Sequence, residues 1–289
     1  MTLATRRRLT SLALLLPPFG WALVFMIVPY AIMFAYSFYR KQGFAFVPDL
    51  NLDSYLALLS DPQYMQVLLR TLKIALLVTL SALALAYPLA YFLVFKIRSA
   101  RLRVALYMAV IVPLWVSYLL RAYTWKTILG NEGVLNSFLM WTGILSEPSS
   151  LFIYNQFSMV LTLTYIFIPF MMMPIYTALE KIPRNLIEAS ADLGVDPART
   201  FFKVTLPLSV PGILAGATFT FCLTFGDFVT PFLVGGPDGT LVASTIQAQF
   251  GIAFNWPLGA ALSIVMLAIV IFIIWLGDRL EQAGRLDLA

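Results

Sequence analysis

The chain has 289 residues, 61% of them hydrophobic and only 11% charged, with a formal net charge of +5. Soluble chains carry roughly 25% charged residues, so this one cannot cover a water-facing surface, and lipid must be a large part of its solvent. The absence of histidine and the single cysteine, Cys222, exclude an intramolecular disulfide framework, zinc sites built on Cys or His, Ser-His-Asp catalysis and haem on a proximal His. The positive charge is too thinly spread to form a nucleic-acid surface.

Six apolar runs free of Asp, Glu, Lys and Arg predict an all-α integral membrane protein with six transmembrane helices, at 12–38, 74–95, 104–120, 157–179, 208–225 and 257–276. Ahead of the first stand Arg6, Arg7 and Arg8. That run is too long for a signal core and no small-x-small pattern closes it, so it reads as an uncleaved span rather than a leader. The stretch 134–145 follows Glu132 and is too short to span; it reads as an interfacial or re-entrant piece. Pro17, Pro18, Pro29, Pro88, Pro113, Pro169 and Pro174 predict kinks inside the spans. An even number of spans puts both termini on one side. With the N-terminus inside, 13 of the Lys and Arg residues fall on the inner side and 6 on the outer. That excess marks the inner side as cytoplasmic.

Outside, Asp49, Asp53 and Asp61 occupy the first loop, which is open to two readings: a solvated segment or a docking point for a soluble partner. Trp115, Tyr118, Tyr123 and Trp125 cluster near the outer end of the third span. They form either an interfacial aromatic belt or a set of ring faces along the route of a cationic solute.

The inner loop 180–207 is built as helix, turn, helix. Pro183 stands where a helix begins, Gly194 where a left-handed residue closes it, and Asp196-Pro197 supplies an N-cap and first-turn proline for a second short helix ending at Leu206-Pro207. On the first helix Lys181, Asn185, Glu188 and Asp192 share a polar face, and Leu186, Ser190 and Leu193 another. Ala189, Ser190 and Ala191 are small enough for close approach of a second chain.

Glu188-Ala189-Ser190, three residues, Gly194, nine residues, then Val204-Thr205-Leu206-Pro207 resembles the EAA loop of ABC-importer permeases, with Ser190 and Val204 in place of Ala and Ile. The resemblance extends to 111–136, 226–237 and 254–257, where it is closest to the first permease subunit of spermidine/putrescine importers. It implies a type I ABC-importer permease architecture in a bacterial inner membrane, with residues 1–289 forming one permease domain. It also implies a coupling helix that docks on a cytoplasmic ATPase through Glu188, Ala189, Ser190, Asp192, Gly194, Leu206 and Pro207. The implied partners are a second homologous permease subunit, two ATPase subunits and a periplasmic binding protein. The implied substrate is a polyamine such as spermidine or putrescine, with an opine or amino-acid-like solute as the alternative.

No G-x-x-x-x-G-K-[ST] loop occurs, so the chain is expected to be no enzyme and to bind no cofactor itself, with ATP and Mg held by the partner. An ion-gradient carrier would need ionisable relays inside its spans, and the six runs contain none. The acid that stands out is Asp227, directly after the fifth span. Its two readings are a pair with Arg121 or Lys126 on the same outer side, or a place on the translocation path; relatives in the putrescine branch resemble this chain there.

Overall fold

The computed structural model describes residues 14–286, without the side chains of 281 and 283–286, so Arg6, Arg7, Arg8 and the start of the first run lie outside the described residues. Among the described residues five helices are long and apolar enough to cross a membrane, and a bent helix pair passes the same test when its two arms are taken as one span. The described chain falls into two compact units, one holding the residues up to Pro62 with Ile246–Leu267, the other holding Gln63–Thr245 with the residues from Ala268 onward.

In the first unit, helix α1 (Leu14–Tyr36) has no buried residue in its most apolar stretch. A helix apolar on every side takes hydrocarbon as its solvent. It contains a π turn at Leu23–Ile27, from which the Val28 N–H reaches back to the Leu23 carbonyl immediately before Pro29. A proline ring clashes with the carbonyl four residues back, and the wider turn relieves that clash. After α1 come strands β1 (Arg40–Gln42) and β2 (Ala45–Val47), antiparallel with Arg40 opposite Val47 and Gly43 in the left-handed turn. Arg40 pairs with Asp49 at 3.0 Å and Asp53 at 2.8 Å, the latter opening α2 (Asp53–Ser60). Phe46 stacks on Trp256 at 5.7 Å, and Lys41 donates to the Ala253 carbonyl at 2.8 Å.

The second unit is built on α3 (Pro62–Lys96), α4 (Ala100–Trp115), α5 (Tyr118–Leu129), α6 (Val134–Trp141), α7 (Gln156–Glu180), α8 (Arg184–Asp192) and α9 (Pro197–Phe225). The helices α10 (Val242–Phe250) and α11 (Trp256–Leu286) each cross from one unit to the other. The core alternates small and long side chains: Ala82, Ala86 and Ala90 of α3 meet Met171, Met172, Ile175 and Leu179 of α7. Membrane helices gain little from hydrophobicity against one another, so close backbone approach must replace it. Gly212 and Gly216 supply that approach between α9 and α7. A Cβ at 212 would lie 2.5 Å from that of Ala178, and one at 216 would lie 2.8 Å from the Met171 carbonyl oxygen. The Tyr87 and Ser209 hydroxyls, 2.9 Å apart, tie α3 to α9.

The kink expected at Pro113 goes further than a bend, and the third run does not continue past it as one helix: α4 tightens to a 3₁₀ turn at Val112–Trp115, breaks, and is followed by α5 and α6 at an angle of 96°. Pro113 lies in the tightened turn, and Val116 beyond it is extended. Nor does the second helix of the inner loop end at Leu206-Pro207. It runs through a π turn at Phe201–Thr205 straight into the fifth span, with the Leu206 N–H on the Phe201 carbonyl just before Pro207. This repeats the device seen before Pro29.

Candidate functional site: an inner coupling corner and an outer acid

The inner corner is made by local rules. Pro183 sits in an extended conformation ahead of α8, and Leu193 caps its end. Gly194 has φ +70°; its N–H bonds the Ala191 carbonyl at 2.9 Å, and the Val195 N–H bonds that of Ser190 at 3.1 Å. This pair of bonds is a Schellman motif, which satisfies carbonyls that the helix end would leave bare. Nothing lies within 4 Å of a Cβ added at Gly194, so the backbone angle alone demands glycine. Asp196 then accepts the Ala198 N–H at 3.1 Å and opens α9. Across the corner the Ser190 and Thr200 hydroxyls meet at 2.8 Å and fix α8 against α9.

Exposure divides the candidate coupling residues. Glu188, Ala189, Asp192 and Gly194 are exposed, as are Leu186 and Leu193, the latter by 82%. The expected face of Leu186, Ser190 and Leu193 is therefore split: the two leucines point outward and only Ser190 turns in. The helix is anchored instead by Ile182, which is 6% exposed, and by Ile187. Leu206 packs on the core cluster and Pro207 lies in the first turns of the span, so neither belongs to the exposed corner. Arg184, Ile187, Glu188 and Ala191 line a cleft of about 300 Å³ together with Tyr91, Lys96 and Phe201.

At the outer end, Asp227 is only 7% exposed. It does not pair with Arg121 or Lys126; its carboxylate takes the Tyr118 hydroxyl at 2.5 Å and the Val229 and Thr230 N–H groups at 3.2 Å each. The backbone bonds make it the cap of the short helical segment that follows the fifth span. Because a carboxylate only accepts, the Tyr118 proton points at Asp227, and the Thr230 hydroxyl at 2.8 Å donates to Tyr118 in turn. Burial pushes the Asp227 carboxyl above the ordinary carboxylate range, opposed first by the Tyr118 hydroxyl and then by Thr230 and the two N–H groups. Arg121, 8% exposed, donates Nη1 to the Ile166 carbonyl at 3.2 Å instead, while its buried Nε finds no partner.

The four outer aromatics are not one cluster. Trp115 is 88% exposed, Tyr118 stacks on Phe167 at 6.3 Å, Trp125 meets the edge of Tyr165 at 5.4 Å, and Tyr123 lies 5.8 Å from the Lys126 ammonium. Of the first-loop acids, Asp49 and Asp53 are engaged by Arg40. The bond between Ser190 and Thr200, and the one from Tyr118 to Asp227, had no signal in the sequence beyond the residue types.

Residues 7–285 match the family described as "Binding-protein-dependent transport system inner membrane component", and the chain belongs to it. It is a permease of an inner membrane. Among its relatives, the spermidine/putrescine transport system permease protein PotB of Salmonella typhimurium strain SL1344 is 37% identical over 274 residues, 93% of this chain and 94% of that protein. The PotB of Escherichia coli K12 is 36% identical over 265 residues, 90% and 95% of the two chains. The fold is shared with a bacterial alginate ABC transporter, solved in complex with an alginate-pentasaccharide-bound periplasmic protein, at a TM-score of 0.79 and 18% identity over 96% of each chain.

Proposed function

We propose that this permease forms one half of the membrane pathway of an ATP-driven importer of a small polyamine, spermidine or putrescine, delivered by a periplasmic binding protein. The observation that carries the reading is the identity to the spermidine/putrescine permeases along nearly the whole of both chains. A second, homologous permease completes the pathway, and two cytoplasmic ATPase subunits bind ATP and Mg and supply the work. Glu188, Ala189, Asp192 and Gly194 present the coupling corner to one ATPase. Ser190 holds its angle, and the unbroken α9, which carries Leu206 and Pro207, transmits its movement into the fifth span.

On the path, Asp227 supplies the negative charge for an ammonium group. A buried carboxylate is costly unless paired, and here Tyr118 and two backbone N–H groups hold it ready. An arriving ammonium competes with the Tyr118 hydroxyl for Oδ1. Trp115 and Trp125 offer ring faces along the approach, whereas Tyr123 already faces the Lys126 ammonium at 5.8 Å. The test is uptake of labelled putrescine and spermidine by cells that have only this importer, with an opine and a basic amino acid as competitors. Uptake blocked by unlabelled polyamine alone is expected; uptake blocked by the opine or amino acid instead would replace the substrate assignment.

A further inference from the structure

Lys126 is a half-buried cation in a pocket of about 320 Å³ on the outer side, where no carboxylate among the described residues pairs with it. The ammonium lies over the Tyr123 ring, 5.8 Å from its centroid. Thr127, Asn131, Ile153 and Tyr154 complete the lining. We propose that this pocket seats an Asp or Glu side chain of the periplasmic binding protein, an inference that rests on the importer reading above.

The pocket walls are held from behind. Tyr154 has φ +61°, a conformation bulky residues avoid and keep only where their surroundings impose it. On one side Asn155 caps α7, exchanging bonds with Ser158 at 2.9 and 3.2 Å, and the Ser158 hydroxyl also reaches the Val234 carbonyl at 2.8 Å. On the other side Gly236 lies against the Tyr154 backbone so closely that a Cβ there would collide with it. The opposite wall is the turn at Gly130, secured by the fully buried Asn136. Its amide donates to the Gly130 and Ser149 carbonyls at 3.0 Å each and accepts the Ser149 N–H at 2.9 Å. The pocket is thus preformed, so a ligand entering it need not order its walls.

The lining chemistry selects the occupant. An ammonium flanked by tyrosine hydroxyls and an asparagine amide offers donors and a positive charge, the complement of a carboxylate, while the Thr127 hydroxyl already donates to the Tyr123 carbonyl at 3.1 Å. A polyamine would be repelled, which keeps this pocket distinct from the path at Asp227. The soluble macromolecule that an importer of this family receives on its outer side is the binding protein. Rim charges of this kind govern encounter and orientation more than the chemistry that follows.

The importer is assembled in proteoliposomes with its own ATPase and partner permease. ATP hydrolysis is then followed against the concentration of its periplasmic binding protein loaded with spermidine. With Lys126→Gln the half-saturating concentration should rise roughly threefold and with Lys126→Glu roughly tenfold or more, the rate at saturation being retained. On the unaltered importer, a water-soluble carbodiimide should join Lys126 to an acidic side chain of the binding protein. A half-saturating concentration unchanged in Lys126→Glu, or coupling through other lysines only, overturns the assignment of this pocket. Absence of any stimulation in the unaltered importer overturns the importer reading itself, and the pocket assignment with it.

Discussion

The Tyr118 hydroxyl donates to Asp227 Oδ1 across 109 residues of sequence, at 2.5 Å. That bond joins the first turn of α5, immediately after the break in the third span, to the end of the fifth. It makes the outer acid a part of the scaffold even before substrate arrives. If the same carboxylate also serves the path, removing its charge and removing its donor should have different consequences.

Asp227→Asn keeps an oxygen for one of the two backbone cap bonds and loses the charge. Uptake of di- and polyamines should fall at least about tenfold, as expected for the loss of a charge-assisted contact of roughly 1.5–3 kcal/mol. Membrane level and basal ATP hydrolysis should survive. Immunoblots with uptake kinetics separate the two; unchanged kinetics would leave the acid a purely structural cap.

Tyr118→Phe leaves the carboxylate one donor short in a buried place. The expected cost is about 1–3 kcal/mol of stability, read as a lower melting temperature of the detergent-solubilised assembly. A melting temperature equal to that of the unaltered assembly would mean that the tyrosine bond contributes nothing.

Ser190→Ala installs the residue typical of the motif and removes the bond to Thr200. The loss should be near 1 kcal/mol and confined to the corner. Faster hydrogen exchange at 186–200 with coupling largely kept is expected; exchange unchanged there would show that the hydroxyl pair does not fix the corner.

Gly216→Leu should prevent the approach of α9 to α7, because even a Cβ would lie 2.8 Å from the Met171 carbonyl oxygen. Overpacking of this kind costs typically about 1–3 kcal/mol and here meets backbone rather than a movable side chain. The permease should fail to accumulate in the membrane. Normal accumulation at full length would contradict the packing described.

What the sequence made legible was local. Pro183, Gly194 and Asp196-Pro197 each specify a backbone conformation within a turn of themselves, and the structure has the start, the Schellman end and the second cap where those residues place them. Span limits were less legible. Arg70 and Lys73 cut the second run at 74, yet α3 begins at Pro62, since long basic side chains lie along a helix and carry their charge outward. The break after Trp115 follows a single proline, and the prolines at 88, 169 and 174 leave their helices unbroken. Residue type alone does not tell these apart. The acid was recognised as unusual, but its partners were not: opposite charges on one side of a membrane are no guarantee of a pair, and a tyrosine carries no mark of the hydrogen bond it will make.

Coupling of this permease to ATP hydrolysis is proposed to run through the α8 corner. The most direct measurement follows spermidine uptake and ATP hydrolysis together in proteoliposomes holding the complete importer, with Glu188→Lys and Gly194→Val combined in this chain. A β-branched residue at φ +70° opposes the turn, and the lysine reverses the exposed charge. Hydrolysis stimulated by the loaded binding protein and uptake should both be lost while the permease still inserts and pairs with its partner. Full stimulation and uptake in the double variant would contradict the account, leaving 180–207 an ordinary tether between spans.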